Sequence, residues 1–258
     1  ALIADSVKNR GWAFGLHKAM DISGGVLGSL LVILLFWKLN LDFRTIIFIA
    51  AGIAGLSIIP LFFVKNKKGK KSKDGFFLSL KKINSRVKRL IFIFSVFTLA
   101  DFGLFLFLVS RAKEVSGSIL IALVLYAIFN IFYASLAIPF GRYSDKVGRK
   151  KVLIIGYFLF FIMSLGFIFA SSIYFLLVLF IVYGVVEAIV QPNQLAFIAD
   201  NSKERGTAIG LYHTCVGLIS IVAGLIAGFL WDISYTWMFA YVGIIGFIAL
   251  ILILRFKK

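Results

Sequence analysis

The stretch GRYSDKVGRKK, residues 141–151, decides how the rest of the chain is interpreted. It places five basic residues and one acid, Asp145, between the apolar blocks 118–140 and 152–170. Each block is long enough to cross the roughly 30 Å hydrocarbon core of a bilayer as a helix. The stretch is therefore predicted to be a short charged loop between two membrane-spanning helices.

Apolar blocks of this kind recur along the whole chain. Hydrophobic residues make up 61% of the sequence and charged residues 15%, whereas soluble domains carry about a quarter charged residues. The eight blocks cover residues 11–37, 45–64, 90–110, 118–140, 152–170, 173–199, 206–231 and 236–254. This composition excludes a soluble enzyme, and the lone Cys215 excludes a disulfide scaffold. The sequence predicts an all-α, multi-pass membrane protein.

The basic residues lie mainly in alternate loops. The net charge is +17, and residues 65–89 alone hold eleven Lys or Arg and a single acid. Under the positive-inside rule, these loops lie on the cytoplasmic side, which places both ends of the chain in the cytoplasm and the protein in the cell membrane. A nucleic-acid site would need the positive charges on one folded surface, so no nucleic-acid partner is expected.

An internal repeat relates residues 1–16 to residues 196–211. Ten of the sixteen positions match at an offset of 195. The matches include Asp5 with Asp200, Arg10 with Arg205, and Gly11 with Gly206. Chance similarity between membrane segments would favour Leu, Ile and Val, so shared charges and glycines indicate two related units whose helices begin at equivalent positions.

The repeat predicts how the chain is divided. Residues 1–64 are expected to hold the last two spans of an N-terminal half, and residues 65–88 a basic cytoplasmic central loop. Residues 89–258 are expected to form a C-terminal half of six helices. The chain would then hold eight of twelve membrane helices, and the four missing N-terminal helices of the same protein would be its partners.

The sequence resembles the major facilitator superfamily. Gly141, Asp145, Gly148, Arg149 and Lys150 match the superfamily's loop signature G-x-x-x-D-x-x-G-R-K. The resemblance implies a helical bundle of two six-helix halves. It also implies transport of a small solute by alternating access, with no enzymatic activity, cofactor or metal.

The resemblance also implies a role for Asp145 in a cytoplasmic gate. A carboxylate is stabilised at the positive N-terminal end of a helix. By the symmetry of the two halves, the helix that Asp145 meets would be the one starting near Arg10 and Gly11. The alternative is that Asp145 and the surrounding cations only fix the topology of the loop.

A second resemblance lies in the first span. Gly15, Gly24 and Gly28 follow the spacing G-x8-G-x3-G, which is similar to a motif of the superfamily's drug:proton antiporters. The chain departs from that motif at Ser29, where the antiporters have proline. Small residues at such spacings also permit close helix packing in any membrane protein.

Two carboxyl groups are predicted near the middle of the membrane. Asp101 lies in the first span of the C-terminal half, and Glu187 lies in the fourth. The resemblance implies that these two helices line the central cavity. Because a charge at such a depth is costly, either residue is expected to exchange a proton or to pair with a cationic substrate. A structural hydrogen bond to a neighbouring helix is the alternative.

Further ionisable residues lie in the first span. His17, Lys18 and Asp21 are spaced so that Asp21 shares a face with the other two, and Lys18 is expected to pair with Asp21. The group would act as a charge relay or simply pin this helix to its neighbours. Uncharged residues that extend the predicted cavity are Asn130, Gln191, Asn193 and Gln194.

These features favour a secondary transporter, with proton-coupled export of a small organic molecule as the first hypothesis. A proton- or ion-coupled nutrient symporter is the second. A membrane scaffold or sensor that reuses the fold without transport is the third. The sequence contains no G-x-x-x-x-G-K-[ST], H-E-x-x-H or G-x-S-x-G motif, which argues against ATP hydrolysis and against an intramembrane enzyme.

Overall fold

A computed structural model describes residues 7, 9–63, 83–101 and 103–256. The helices are α1 (Arg10–Ile33), α2 (Phe43–Leu56), α3 (Ser85–Asp101), α4 (Leu104–Ser116), α5 (Ile119–Val147), α6 (Arg149–Ile168), α7 (Ile173–Asn201), α8 (Arg205–Ile233) and α9 (Tyr235–Arg255). A π-helical turn, Leu34–Lys38, extends α1, and a 3-10 turn, Ile59–Phe63, follows α2. These ranges contain no strand, and the predicted all-α class is confirmed.

Seven segments of the described ranges are long and apolar enough to cross a membrane. They are α1 with its π-helical turn, the pair α3 and α4, and each of α5 to α9. The block predicted at 45–64 contains the shorter α2, which ends after 14 residues, and the 3-10 turn. Most of the predicted central loop, residues 65–82, lies outside the described residues, as does Asp5.

The span formed by α3 and α4 breaks near its middle. α3 ends at Asp101, and Gly103 has a φ of +69°, a left-handed conformation that glycine adopts without a Cβ clash. A helix end leaves carbonyl groups without their helical partners. The hydroxyl of Tyr241 on α9 donates to one of them, the Leu99 carbonyl, at 3.1 Å. The break therefore lies directly beside a predicted site residue.

α7 packs against α5, α6 and α3 and is central to the C-terminal bundle. At Gly184 on α7, a Cβ atom would lie 2.6 Å from the Phe129 carbonyl oxygen of α5. Because glycine has no side chain, the two backbones touch, and the neighbouring Tyr183 ring stacks on the Phe129 ring at 4.8 Å. This crossing fixes the position of Glu187, which lies one turn further along α7.

α1 packs along α5 and is closest at its N-terminal end. A Cβ at Gly15 would lie 2.5 Å from the Ala137 carbonyl oxygen, and the backbones of Gly11 and Gly141 are in direct contact. Further along α1 the contact loosens, since a Cβ at Gly25 would find its nearest neighbour at 3.9 Å.

The three glycines of the antiporter-like spacing therefore differ in their surroundings. Gly15 touches the α5 backbone, which is the packing role expected of small residues. At Gly24 and Gly28, a Cβ would meet no other atom of the described ranges within 4 Å.

Replacing Gly184 by alanine should destabilise the bundle, because the new methyl group would collide with the α5 backbone. Overpacking of this kind costs about 1–3 kcal/mol. The matched control is Gly243→Ala on α9, where the nearest atom to a new Cβ is the Ser164 Oγ at an ordinary 3.4 Å. Thermal unfolding of the purified protein in detergent should show a lower midpoint for Gly184→Ala only. Equal midpoints for the two variants would contradict the close contact between α5 and α7 at Gly184.

Candidate functional site

Asp101 and Glu187 lie side by side inside the bundle. Asp101 ends α3 and is 9% exposed, and Glu187 on α7 is 6% exposed. Their carboxyl groups are within hydrogen-bonding reach of one another. The hydroxyl of Tyr183 donates to Asp101 Oδ1 at 3.2 Å. Two ionised carboxylates this close would repel each other strongly away from water, so a shared proton would stabilise the arrangement.

Lys18 of α1 brings a positive charge near this pair. Its ammonium group forms an ion pair with Asp21 at 3.0 Å and lies 5.8 Å from the centre of the Tyr133 ring. The same charge attracts Glu187. The Tyr133 hydroxyl and Glu187 Oε1 are also buried. Neither atom has a hydrogen-bond partner within the described ranges. The predicted Lys18–Asp21 pair is thus present, and it lies close to the carboxyl pair.

A cavity of about 310 Å³ separates α1 from α7 and α8. Its polar lining consists of His17, Lys18, Asp21, Gln191, Tyr212 and His213. Gln191 follows Glu187 by one turn on α7, which places the cavity wall next to the buried pair. The structure therefore brings together residues from the two predicted halves around one space.

Asn130, in contrast, does not line this cavity. It is buried in α5, and its Nδ2 donates to the Tyr126 carbonyl oxygen of the same helix at 2.9 Å. The spacing of polar residues in the sequence did not reveal this, because a buried asparagine can satisfy its amide on its own helix.

A buried hydrogen-bond chain leads from the cavity to α6. The Tyr212 hydroxyl donates to Gln194 Oε1 at 2.8 Å, and Gln194 Nε2 donates to the Tyr157 hydroxyl at 2.9 Å. The sequence indicates Gln194 by its polarity but gives no comparable signal for Tyr157 or Tyr212. Aromatic residues are so frequent in this chain that position alone does not distinguish these two.

Asp145 binds the N-terminal end of α1. Its two carboxylate oxygens accept hydrogen bonds from the backbone N–H groups of Gly11 at 3.0 Å and Trp12 at 2.9 Å. The first N–H groups of a helix have no partner within the helix and carry its positive partial charge, so a carboxylate is well placed there. The side chain joins α5, of the predicted C-terminal half, to α1, of the predicted N-terminal half.

The contact belongs to a network of four charges. Arg149 pairs with Asp145, and its Nε donates to Asp200 Oδ2 at 3.0 Å. Arg10 Nη1 binds the other Asp200 oxygen at 2.6 Å. The network therefore connects α1, α5, α6 and α7 at one end of the bundle. Asp200 was not among the predicted site residues, although its match to Asp5 in the repeat was a signal.

The remaining predicted motif residues have other contacts. Gly148 has a φ of +98° in the turn between α5 and α6, a conformation that favours glycine. Lys150 Nζ donates to the carbonyl oxygens of Leu254 at 2.9 Å and Phe256 at 2.8 Å, so it ties α6 to the end of α9. Arg205 and Gly206 begin α8, the equivalent position to the start of α1.

The family of the chain follows from comparison with known proteins. The family model described as Major Facilitator Superfamily matches residues 90–258, which is more than half of the chain. The chain belongs to the major facilitator superfamily. The predicted family is thereby confirmed, and the family together with the seven long apolar segments of the described ranges indicates a multi-pass membrane protein.

Individual relatives are consistent with this family. The chain is 42% identical over 264 residues to an uncharacterized MFS-type transporter of Methanocaldococcus jannaschii, a match that covers 98% of this chain and 66% of the relative. It is 28% identical to the arabinose-proton symporter of Escherichia coli over 55% of this chain and 28% of the relative. It is 34% identical to multidrug resistance protein 2 of Bacillus subtilis over 35% of this chain and 24% of the relative. The chain thus spans less than two thirds of the length of each.

Substituting Asp145 by asparagine should loosen the contact between α1 and α5. Hydrogen bonds to charged groups contribute about 1.5–3 kcal/mol, and the variant loses both the charge and the ion pair with Arg149. Spin labels on the exposed positions Asn9 and Lys146, in a Cys215→Ser background, would report the separation of the two helices. We expect the distance distribution to broaden towards longer distances.

Asp232→Asn provides the control, because Asp232 is exposed near the far end of α8. Its distance distribution should match that of the parent protein. If Asp145→Asn also leaves the distribution unchanged, Asp145 does not hold the two helices together.

Proposed function

We propose that the chain is part of a secondary transporter that exports a small organic molecule in exchange for protons. The buried carboxyl pair of Asp101 and Glu187 is the observation that carries the proposal. Membership of the superfamily supports transport by alternating access. The coupling ion is inferred from the carboxyl pair, and the direction from the glycine spacing of the first span and the name of one relative.

The carboxyl pair is suited to hold one proton at a time. Both groups are buried, and each is within hydrogen-bonding reach of the other. A hydrogen bond between two carboxyl groups requires a proton, so the pair carries one negative charge while the proton is bound. Losing the proton leaves two negative charges, and the surrounding apolar helices do not stabilise the second one. The proton can therefore leave only when another positive charge approaches, such as a cationic substrate or Lys18.

Lys18 links the state of this pair to the position of α1. While the pair holds its proton, the Lys18 ammonium group would keep Asp21 as its partner. This is the ion pair that the structure contains. Deprotonation of the pair would strengthen the electrostatic attraction between the Lys18 ammonium group and the Glu187 carboxylate. Because Lys18 and Glu187 belong to different predicted halves, the proton would favour one arrangement of the halves over the other.

The Asp145 network would act as the gate at the end predicted to be cytoplasmic. It joins α1 to three helices of the other predicted half through hydrogen bonds and ion pairs. The gate opens when these contacts break, and water can then solvate the freed charges. Its partly buried position keeps the cost of opening moderate, since several of the charged groups remain accessible to water.

Two observations favour export. The spacing of Gly15, Gly24 and Gly28 is similar to that of drug:proton antiporters, and one relative is named a multidrug resistance protein. Proton-coupled import is the second candidate, because another relative is named an arabinose-proton symporter. Both candidates use the same carboxyl pair, and they differ in the direction of substrate movement relative to the proton.

Inside-out membrane vesicles with an acidic interior should accumulate ethidium, an organic cation, if the full-length protein exports such molecules in exchange for protons. Asp101→Asn and Glu187→Gln should each lower this accumulation at least tenfold, because neither variant can pass the proton between two carboxyl groups. Glu114→Gln is the control, since Glu114 is an exposed acid that pairs with Arg111 outside the cavity.

The same vesicles distinguish the second candidate. Arabinose uptake into right-side-out vesicles that depends on an inward proton gradient, with no ethidium accumulation, would replace export by import. Full ethidium transport by both carboxyl variants would contradict a coupling role for the pair.

A further inference from the structure

A groove of about 420 Å³ lies between the start of α3 and the end of α9, and no residue of the cavity or of the gate network is part of its lining. It is lined by Arg89, Phe92, Ile93, Leu252, Arg255 and Phe256. The two arginines and Phe92 are exposed on the outside of the bundle. The groove therefore opens towards the surroundings of the protein, which for a membrane-spanning bundle are lipids.

The groove is polar at its rim and apolar along its length. Arg89 is in the second turn of α3, and Phe92 follows three residues deeper along that helix. On α9, which runs the opposite way, Arg255 is the last residue and Leu252 precedes it by three. Residues three apart lie on the same side of a helix. Both helices thus present an arginine at the membrane surface and an apolar side chain one turn further in.

Additional positive charge surrounds this rim. An adjoining cavity of about 190 Å³ shares Phe256 and is lined by Arg86, Lys150 and Lys151 among others. The Arg86 guanidinium lies 5.7 Å from the centre of the Phe256 ring. Within the described ranges, no acidic residue lines either space. The charge of the groove is therefore not balanced by its own walls.

We propose that this groove binds an anionic phospholipid. The planar guanidinium groups of Arg89 and Arg255 are suited to bind a phosphate through paired hydrogen bonds. Phe92 and Leu252 provide the apolar surface against which an acyl chain would lie. The groove is at the end predicted to be cytoplasmic, and the anionic lipids of a cell membrane are concentrated in that leaflet. This inference uses none of the residues that carry the proposed transport function.

Native mass spectrometry of the purified full-length protein tests the proposal. It compares the binding of phosphatidylglycerol with the binding of phosphatidylcholine, which has no net charge. The double variant Arg89→Gln/Arg255→Gln should bind phosphatidylglycerol at least tenfold more weakly, since two charge-assisted contacts are lost. The control is Lys88→Gln/Lys203→Gln, which removes the same charge from exposed positions at the same end of the bundle but outside the groove. It should bind like the parent protein.

Several results would overturn the proposal. Equal losses in the two double variants would mean that lipid is attracted only by the general positive charge of this end. Equal binding of both lipids by the parent would mean that no headgroup is recognised. If free glycerol phosphate displaces phosphatidylglycerol at equal concentration, the site binds a soluble anion instead. The variant Arg89→Lys/Arg255→Lys keeps both charges but loses the planar guanidinium groups, so its binding should fall between that of the parent and that of Arg89→Gln/Arg255→Gln. An equal thermal midpoint for all variants shows that each remains folded.

Discussion

Two neighbouring carboxyl groups inside an apolar bundle are the constraint on which this structure depends. A charged side chain at the centre of a bilayer costs about 2.5–3.5 kcal/mol on insertion scales, and a second like charge beside it adds repulsion. Asp101 and Glu187 therefore need a proton, a hydroxyl donor or a nearby cation. The structure supplies the Tyr183 hydroxyl directly and the Lys18 charge from α1. The proton is the component that the proposed transport cycle exchanges.

Two features of the backbone bring Asp101 and Glu187 together. The break between α3 and α4 places Asp101 at a helix end, where Gly103 allows the chain to turn. The close crossing of α5 and α7 at Gly184 positions Glu187 beside it. At the end of the bundle, Asp145 connects α1 to the C-terminal helices. The charge proposed to respond to the proton and the contact proposed to close one end thus lie on the same helix, α1, through which we expect each to influence the other.

The sequence predicted the features that depend on charge and periodicity. Long apolar blocks can only be helices in a membrane, and the repeat related the start of α1 to that of α8, from which the partner of Asp145 could be expected. Contacts between uncharged groups could not be predicted, since they depend on how each helix is rotated against its neighbours. The hydrogen bond of Asn130 within its own helix is one example. The contact of the charged Lys150 with backbone carbonyl groups at the end of α9 depends on the same rotation and was not predicted either. The shortness of α2 was also not predictable from hydropathy, which measures composition rather than helix ends.

Infrared difference spectroscopy during a pH titration of the purified protein tests whether Asp101 and Glu187 share a proton, because a protonated carboxyl group has its own C=O stretching band. We expect one titrating buried carboxyl band that disappears in both Asp101→Asn and Glu187→Gln, since the two side chains hold a single proton between them. Two independent carboxyl bands, each lost in only one variant, would contradict a shared proton. A band that does not titrate while the protein remains folded would contradict proton exchange by this pair.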